Sequence, residues 1–328
     1  MKKFCLYLVY LILCSSIIKA QSNRQLKFNP NGEFKIVQFT DTHIDLIEGD
    51  NLSAYDVILE VIEVEKPDLV VLTGDIVSQD NPQEAFKRLA AGFEKAKVPW
   101  AIVFGNHESE HNLSRKHLSE FLPKLPFCLN STMDTTIGFS TFALPVYDSS
   151  NKPGAVVYCL DSNINSTLQS VVGGYGWFTA SQINWYRKES SLFSIKNNKN
   201  PLPAVAFFHI PLPEYTKVAN QGQGTFFGGK REVVCCPEIN TGMFAAMLEA
   251  GDVMGTFVGH DHTNDYIGLY YNIALAYGRV SKQMKDPSDP LPGGRVIVLK
   301  QGKHEFNTWI REFGKKKVQE CNYPASFK

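Results

Sequence analysis

Short apolar runs recur along the chain at residues 34–40, 68–73, 99–104, 155–160, 204–208 and 253–258, each rich in β-branched and aromatic side chains. Such runs read as buried strands. Between the first three lie longer segments, 53–65 and 83–96, that suit helices, and Pro67 and Pro99 stand where those helices must already have stopped. The result is β-α-β-α-β, the alternation of parallel strands joined by helical crossovers. Further on, a helix is expected over 179–192 with Thr179 as its N-cap. Another is expected over 240–250, capped by Asn240 and ended by Gly251. Segments 266–269, 272–276, 295–298 and 304–310 read as short strands of a second, largely antiparallel sheet.

The polar residues just beyond the apolar runs carry the chemistry. Five of the eight histidines fall into short clusters with acids or amides: Asp41-Thr42-His43, Gly105-Asn106-His107-Glu108, His209 and Gly259-His260-Asp261-His262, with Gly74-Asp75 between the first two. Each cluster begins at the C-terminal end of an expected strand, where ligands gather in open α/β sheets. Imidazole with carboxylate suits zinc, iron or manganese, and the clusters contain no cysteine, so they read as hydrolytic rather than redox or structural. Two such ions about 3.5–4 Å apart would clamp an in-line displacement at phosphorus and acidify a bridging water. One carboxylate must then bridge them, and Asp75, alone in its cluster, is the natural candidate.

This ordered set closely resembles the calcineurin-like metallophosphoesterase superfamily over roughly residues 34 to 300. The nearest subgroup is that of purple acid phosphatase 28-like and 29-like proteins, a similarity also carried by residues 173–177, 182–185, 235–244 and 259–265. The resemblance implies a four-layer α-β-β-α sandwich, two mixed sheets flanked by helices. It also implies two divalent ions, one held by Asp41, His43, Asp75 and His262, the other by Asp75, Asn106, His209 and His260. His107 would stabilise the transition state and protonate the leaving group. Three positions after Asp75, where purple enzymes place a tyrosine and protein phosphatases an aspartate, this chain has Ser78. A colourless enzyme is therefore expected, and Glu108 and Asp45 are the candidates for holding His107.

Several of these residues have plainer roles available. A lone histidine ending a strand, like His209, is commonly a hydrogen-bonded core group, and Asn106 suits a turn after Gly105. Asp261, between two histidines, reads as a hydrogen-bond acceptor behind them. The 173–177 stretch is a candidate loop at the site's mouth, whereas 221–225 lacks the lysine and spacing of a phosphate-binding loop.

Met1-Lys2-Lys3 followed by an apolar run to Ile18 and a small Ala20 reads as a secretory signal peptide over 1–20, with an uncleaved anchor as the alternative. Residues 21–33 would then be an N-terminal extension, 34–312 the catalytic domain and 313–328 a tail. Without 1–20 the chain keeps 30 basic against 33 acidic side chains, a net charge of −3 that argues against nucleic-acid or anionic-membrane binding. Cys128, Cys159, Cys235, Cys236 and Cys321 remain, with Cys159 expected as a reduced core residue. In the secretory pathway the sequons at Asn51, Asn112, Asn130 and Asn165 become meaningful. The expected activity is a phosphomonoesterase on phosphorylated small molecules or proteins. A phosphodiesterase, or an inactive binding module on the same fold, is the alternative.

Overall fold

The computed structural model describes residues 25–45, 52–110, 112–131, 134–221 and 226–327. The expected signal sequence lies outside them. In chain order the strands are β1 (Leu26–Lys27), β2 (Glu33–Phe39), β3 (Leu69–Thr73), β4 (Trp100–Val103), β5 (Phe142–Tyr147), β6 (Pro153–Cys159) and β7 (Ala204–Phe207). They continue with β8 (Phe226–Phe227), β9 (Val253–Val258), β10 (Ile267–Tyr270), β11 (Ile273–Tyr277), β12 (Gly293–Lys300), β13 (Phe306–Glu312) and β14 (Lys317–Tyr323). The helices are α1 (Ala54–Glu65), α2 (Pro82–Ala96), α3 (Arg115–Phe121), α4 (Ala180–Lys196), α5 (Tyr215–Ala219) and α6 (Met243–Ala250).

Two mixed sheets result, ordered β14-β13-β12-β2-β3-β4 and β1-β5-β6-β7-β9-β11-β10-β8. Alternation along each strand explains how they stack, because successive side chains point to opposite faces. Ile36, Val71 and Val103 of one sheet meet Val157, Val205 and Phe257 of the other in a shared core. Their neighbours Val37, Leu72 and Ile102 instead pack against Val57 and Val61 of α1 and Phe86 and Leu89 of α2. On the far side Tyr158, Ala206 and Val258 pack against Tyr186 of α4 and Phe244 and Met247 of α6. Three apolar layers between four structural ones make the α-β-β-α sandwich. Strands buried on both faces read as continuous apolar runs, which is why they were legible.

Caps and boundaries follow local chemistry. Thr179 and Gln182 form a reciprocal capping box at the start of α4. Asn240 does not cap α6 directly. Its side chain accepts from Gly242 N in a turn ahead of the helix, and Gly242 is the N-cap, while Gly251 ends the helix at φ 69°.

The expected second antiparallel sheet is not what forms. β10 and β11 extend the sheet of β9, with β11 parallel to β9, whereas β12 and β13 join β2. The period-two pattern identifies a strand but not its neighbour. Residues expected to be a tail carry β14, whose Cys321 and Tyr323 turn into the inter-sheet core. Residues 26–27, placed in an extension, form β1 and pair with β5, so both ends of the described chain belong to the sandwich.

Candidate metal centre

The parallel pairing of β2 with β3 with β4, and of β7 with β9, brings five strand C-termini to one rim. The first sheet delivers Asp41 and His43, Asp75, and Asn106 and His107. The second delivers His209, and His260 and His262. Gln38 ties the two edges together, its Nε2 donating to Thr73 Oγ1 of one sheet at 2.9 Å and to Val258 O of the other at 3.0 Å.

The backbone bends sharply at this rim. Asp41, His43, Asp75 and His260 take φ of 50°, 39°, 55° and 79°, left-handed conformations that side chains other than glycine seldom adopt. Such strain clusters where geometry matters for function. Gly74 precedes Asp75 because a Cβ there would lie 2.5 Å from His209 Nδ1. Gly105 faces Asp75 so closely that no side chain fits.

Six side chains fall into two groups with converging ligand atoms: Asp41, His43 and His262, and Asp75, His209 and His260. In the first, Asp41 Oδ2 accepts from Thr40 Oγ1 at 2.7 Å and from His260 N at 3.0 Å, which leaves Oδ1 free to face His262 Nε2 at 3.3 Å. His43 Nδ1 lies 2.7 Å from Ser78 Oγ, and its Nε2 points at His262 Nε2, 3.3 Å away. In the second, His209 Nδ1 donates to Thr73 O at 2.7 Å, so Nε2 turns toward Asp75 Oδ2 at 3.2 Å and His260 Nδ1 at 3.3 Å. Asp75 Oδ1 accepts from His107 N at 3.0 Å.

These donors fit cations. Two neutral imidazole nitrogens facing each other repel unless a proton or a metal stands between them, and this occurs twice in the site. Asp41 Oδ1, Asn106 Oδ1 and His260 Nε2 are buried without a hydrogen-bond partner, which is costly for groups that nothing coordinates. Asn106 lies just beyond β4, at the same rim.

Charge at the site shows the same demand. Burial presses His209 down, but Asp75, then Asp41 and Glu108, outweigh it and carry the imidazole up to about 10. Burial raises Asp41 and Asp75, yet the surrounding histidines hold Asp41 well below the carboxylate range and Asp75 at about 2. His43 is lowered to about 4 and His260 to about 3, chiefly by burial. The site therefore calls for added positive charge around two ionised carboxylates.

Supporting contacts complete it, several of them unannounced by the motifs. Buried Glu108 does not hold His107. It accepts from Ile76 N at 2.8 Å and Gly105 N at 2.5 Å, locking the Asp75 and Asn106 loops together. Glu110 sits on His107 Nδ1 at 2.7 Å instead. Arg115, from α3, donates to Gly105 O and reaches Asp161 Oδ1 at 2.5 Å. Asp261 accepts from Tyr277 OH at 2.5 Å and from Cys235 N, the supporting role its position suggests. Tyr175 sets its ring edge-to-face on His260, centroids 4.4 Å apart, which puts the 173–177 loop at the site. Glu110 reaches His107 through a turn closed by Glu110 N donating to His107 O at 3.2 Å. Nothing in the sequence marked Arg115.

The profile of calcineurin-like phosphoesterases matches residues 34–264, which includes every one of these candidate ligands. The chain belongs to that family. Over 309 residues it is 31% identical to "Probable inactive purple acid phosphatase 29" of Arabidopsis thaliana, covering 84% of this chain and 79% of that protein. It is 32% identical to "Phosphatase DCR2" of Saccharomyces cerevisiae, covering 79% of this chain but 49% of the yeast protein. Among solved structures, a dimetal phosphatase from Danio rerio superposes with a TM-score of 0.60 at 16% identity, over 88% of this chain and 98% of the other. That likeness establishes the fold, and the family is one of dimetal phosphoesterases.

The remaining expectations concern the surface and the cysteines. Cys128, Cys159 and Cys321 are buried and free, as are the half-buried Cys235 and Cys236, so Cys159 is the reduced core residue expected. The sequon at Asn130 is structural, because its amide accepts from Ile102 N at 2.9 Å and donates to Ile102 O at 2.8 Å. A glycan there would break that pairing. Asn112 and Asn165 are exposed, and Asn51 lies outside the described residues. Among the described residues, no helix is long and apolar enough to cross a membrane.

Proposed function

We propose that the chain is a metal-dependent phosphomonoesterase, acting on a phosphorylated small molecule or protein. The observation that carries this reading is the convergence of the two ligand groups on one rim, with the His107 ring centroid 5.9 Å from that of His43. Asp41, His43 and His262 would hold one ion, His209, His260 and Asn106 the other, and Asp75 would bridge. Zinc, iron or manganese would supply Lewis acidity and a hydroxide near neutral pH. The protein's own part is to orient the phosphoryl group against Asn106 and His107 and to deliver the His107 Nε2 proton to the departing oxygen. Ser78 occupies the place of the purple enzymes' tyrosine and hydrogen-bonds His43, which supports a colourless centre.

The Arabidopsis relative bears the word "inactive" in its name. In this chain all seven candidate ligands are present and six of them converge, which favours turnover over a binding role. Export belongs to the same proposal and rests on the apolar run at 4–18, with the exposed Asn112 and Asn165 as acceptors for glycans.

Purified full-length protein, stripped and reloaded with zinc, manganese or iron, should hydrolyse p-nitrophenyl phosphate faster than bis(p-nitrophenyl) phosphate. Preference for the diester would reassign it as a phosphodiesterase. No hydrolysis of either by metal-loaded protein would overturn the proposal in favour of a binding module.

A further inference from the structure

At position 78, where purple enzymes place a tyrosine and protein phosphatases an aspartate, this chain has a serine that hydrogen-bonds His43 and is no support for His107. The structure supplies one. Glu110 Oε2 lies 2.7 Å from His107 Nδ1, and the turn that brings it there is closed by Glu110 N donating to His107 O at 3.2 Å. A carboxylate can only accept, so Nδ1 must carry the hydrogen. The other ring nitrogen, Nε2, then faces inward, 3.8 Å from Asp75 Oδ2. The competing acid is engaged elsewhere: both Glu108 oxygens accept backbone N–H groups. Ser78, at the vacated position, holds His43 instead.

We infer that Glu110 is the positioning residue of His107, fixing the ring with Nδ1–H outward and Nε2 toward the reacting phosphoryl group. This rests on the phosphomonoesterase reading for its kinetic consequence but not for its geometry. In the reaction, the His107 Nε2–H proton passes to the leaving oxygen as the phosphorus–oxygen bond breaks. The ring keeps its Nδ1 hydrogen, directed at the Glu110 carboxylate, while Nε2 gives up its own. Water restores the proton afterwards. Glu110 is half-exposed and outside any packed layer, so replacing it leaves the fold intact.

Two measurements test this, on full-length protein. The first is ¹⁵N NMR of the His107 ring at a pH where it is neutral, in metal-free protein. The wild type should show the Nδ1–H form, and Glu110→Ala should shift the ring toward Nε2–H; an unchanged ring would overturn the inference. The second is leaving-group dependence in metal-loaded protein. A positioned acid contributes about 10²–10⁴-fold where the leaving group is poor. Glu110→Ala should therefore lower kcat on an alkyl phosphate by about 10-fold or more and on p-nitrophenyl phosphate by under about 3-fold. Equal loss on both, or no loss on either, would overturn it. A wild type inactive on every ester would sink the preceding proposal, while the NMR comparison would still decide this one.

Discussion

The two halves of the metal centre are built differently. The group of Asp75, His209 and His260 is the more buried by one residue: His209 is fully buried and its Nδ1 is fixed by a backbone carbonyl of β3, while His260 is half-buried. The group of Asp41, His43 and His262 lies nearer the surface, with His43 and His262 half-buried and His43 steadied by a single hydroxyl. A carbonyl held in a sheet is a stiffer support than a rotatable serine. His209 of the inner pair is therefore preorganised for its ion, and His43 of the outer pair is more adjustable. Strong inner and weaker outer metal binding is the expected result.

The largest effect should come from Asp75, the residue proposed to be common to both halves. Asp75→Ala removes the proposed bridge and deprives His209 of its charge partner. Loss of a metal clamp worth several kcal/mol predicts a fall in kcat of about 10³-fold or more, with both ions bound poorly. Steady-state kinetics with metal analysis checks it. If Asp75→Ala retains two tightly bound ions, the halves do not share a ligand.

Ser78→Ala separates the halves. Removing a hydrogen bond behind a metal-ligating histidine costs about 10–100-fold in affinity, and here that loss should fall on one ion only. Competition with a chelator would read the two ions apart. Equal weakening of both would erase the distinction between inner and outer.

Protons should report the inner half. At neutral pH the metal-free His209, carried up to about 10 mainly by Asp75 against burial, holds a proton that an incoming ion must expel. Inner-ion affinity should thus rise with pH, about tenfold per unit for one proton released, and fall on acidification. Calorimetry in buffers of different ionisation enthalpy would count that proton. A pH-independent inner ion would contradict the assignment.

Tyr175→Ala should have the smallest effect. An edge-to-face ring contact is worth about 0.5–1.5 kcal/mol, so removing it from His260 predicts about a 2- to 10-fold drop in kcat/KM, with metal content unchanged. A change in metal content instead would place Tyr175 in the support of the inner ion.

What the sequence made legible matches this contrast. Ligands placed one or two residues beyond doubly buried strands announce themselves, because an apolar run ending in a histidine or aspartate has few structural explanations when five recur. Their supports do not. Ser78 was visible as a departure, but its hold on His43 depends on β2 and β3 lying side by side, and Arg115 reaches Gly105 from a separate helix. Sheet membership was hidden for the same reason. β11 and β12 are both buried along nearly their whole length, and only tertiary packing sends one beside β9 and the other beside β2. β14 escaped notice because Lys317, Gln319 and Glu320 mask its two buried positions.

Calorimetric titration of metal-free, full-length protein with zinc or manganese tests the central claim most directly. Two ions per chain should bind, one more tightly than the other, and Asp75→Ala should lose both events. A single event, or none, would show that these side chains do not share a pair of cations.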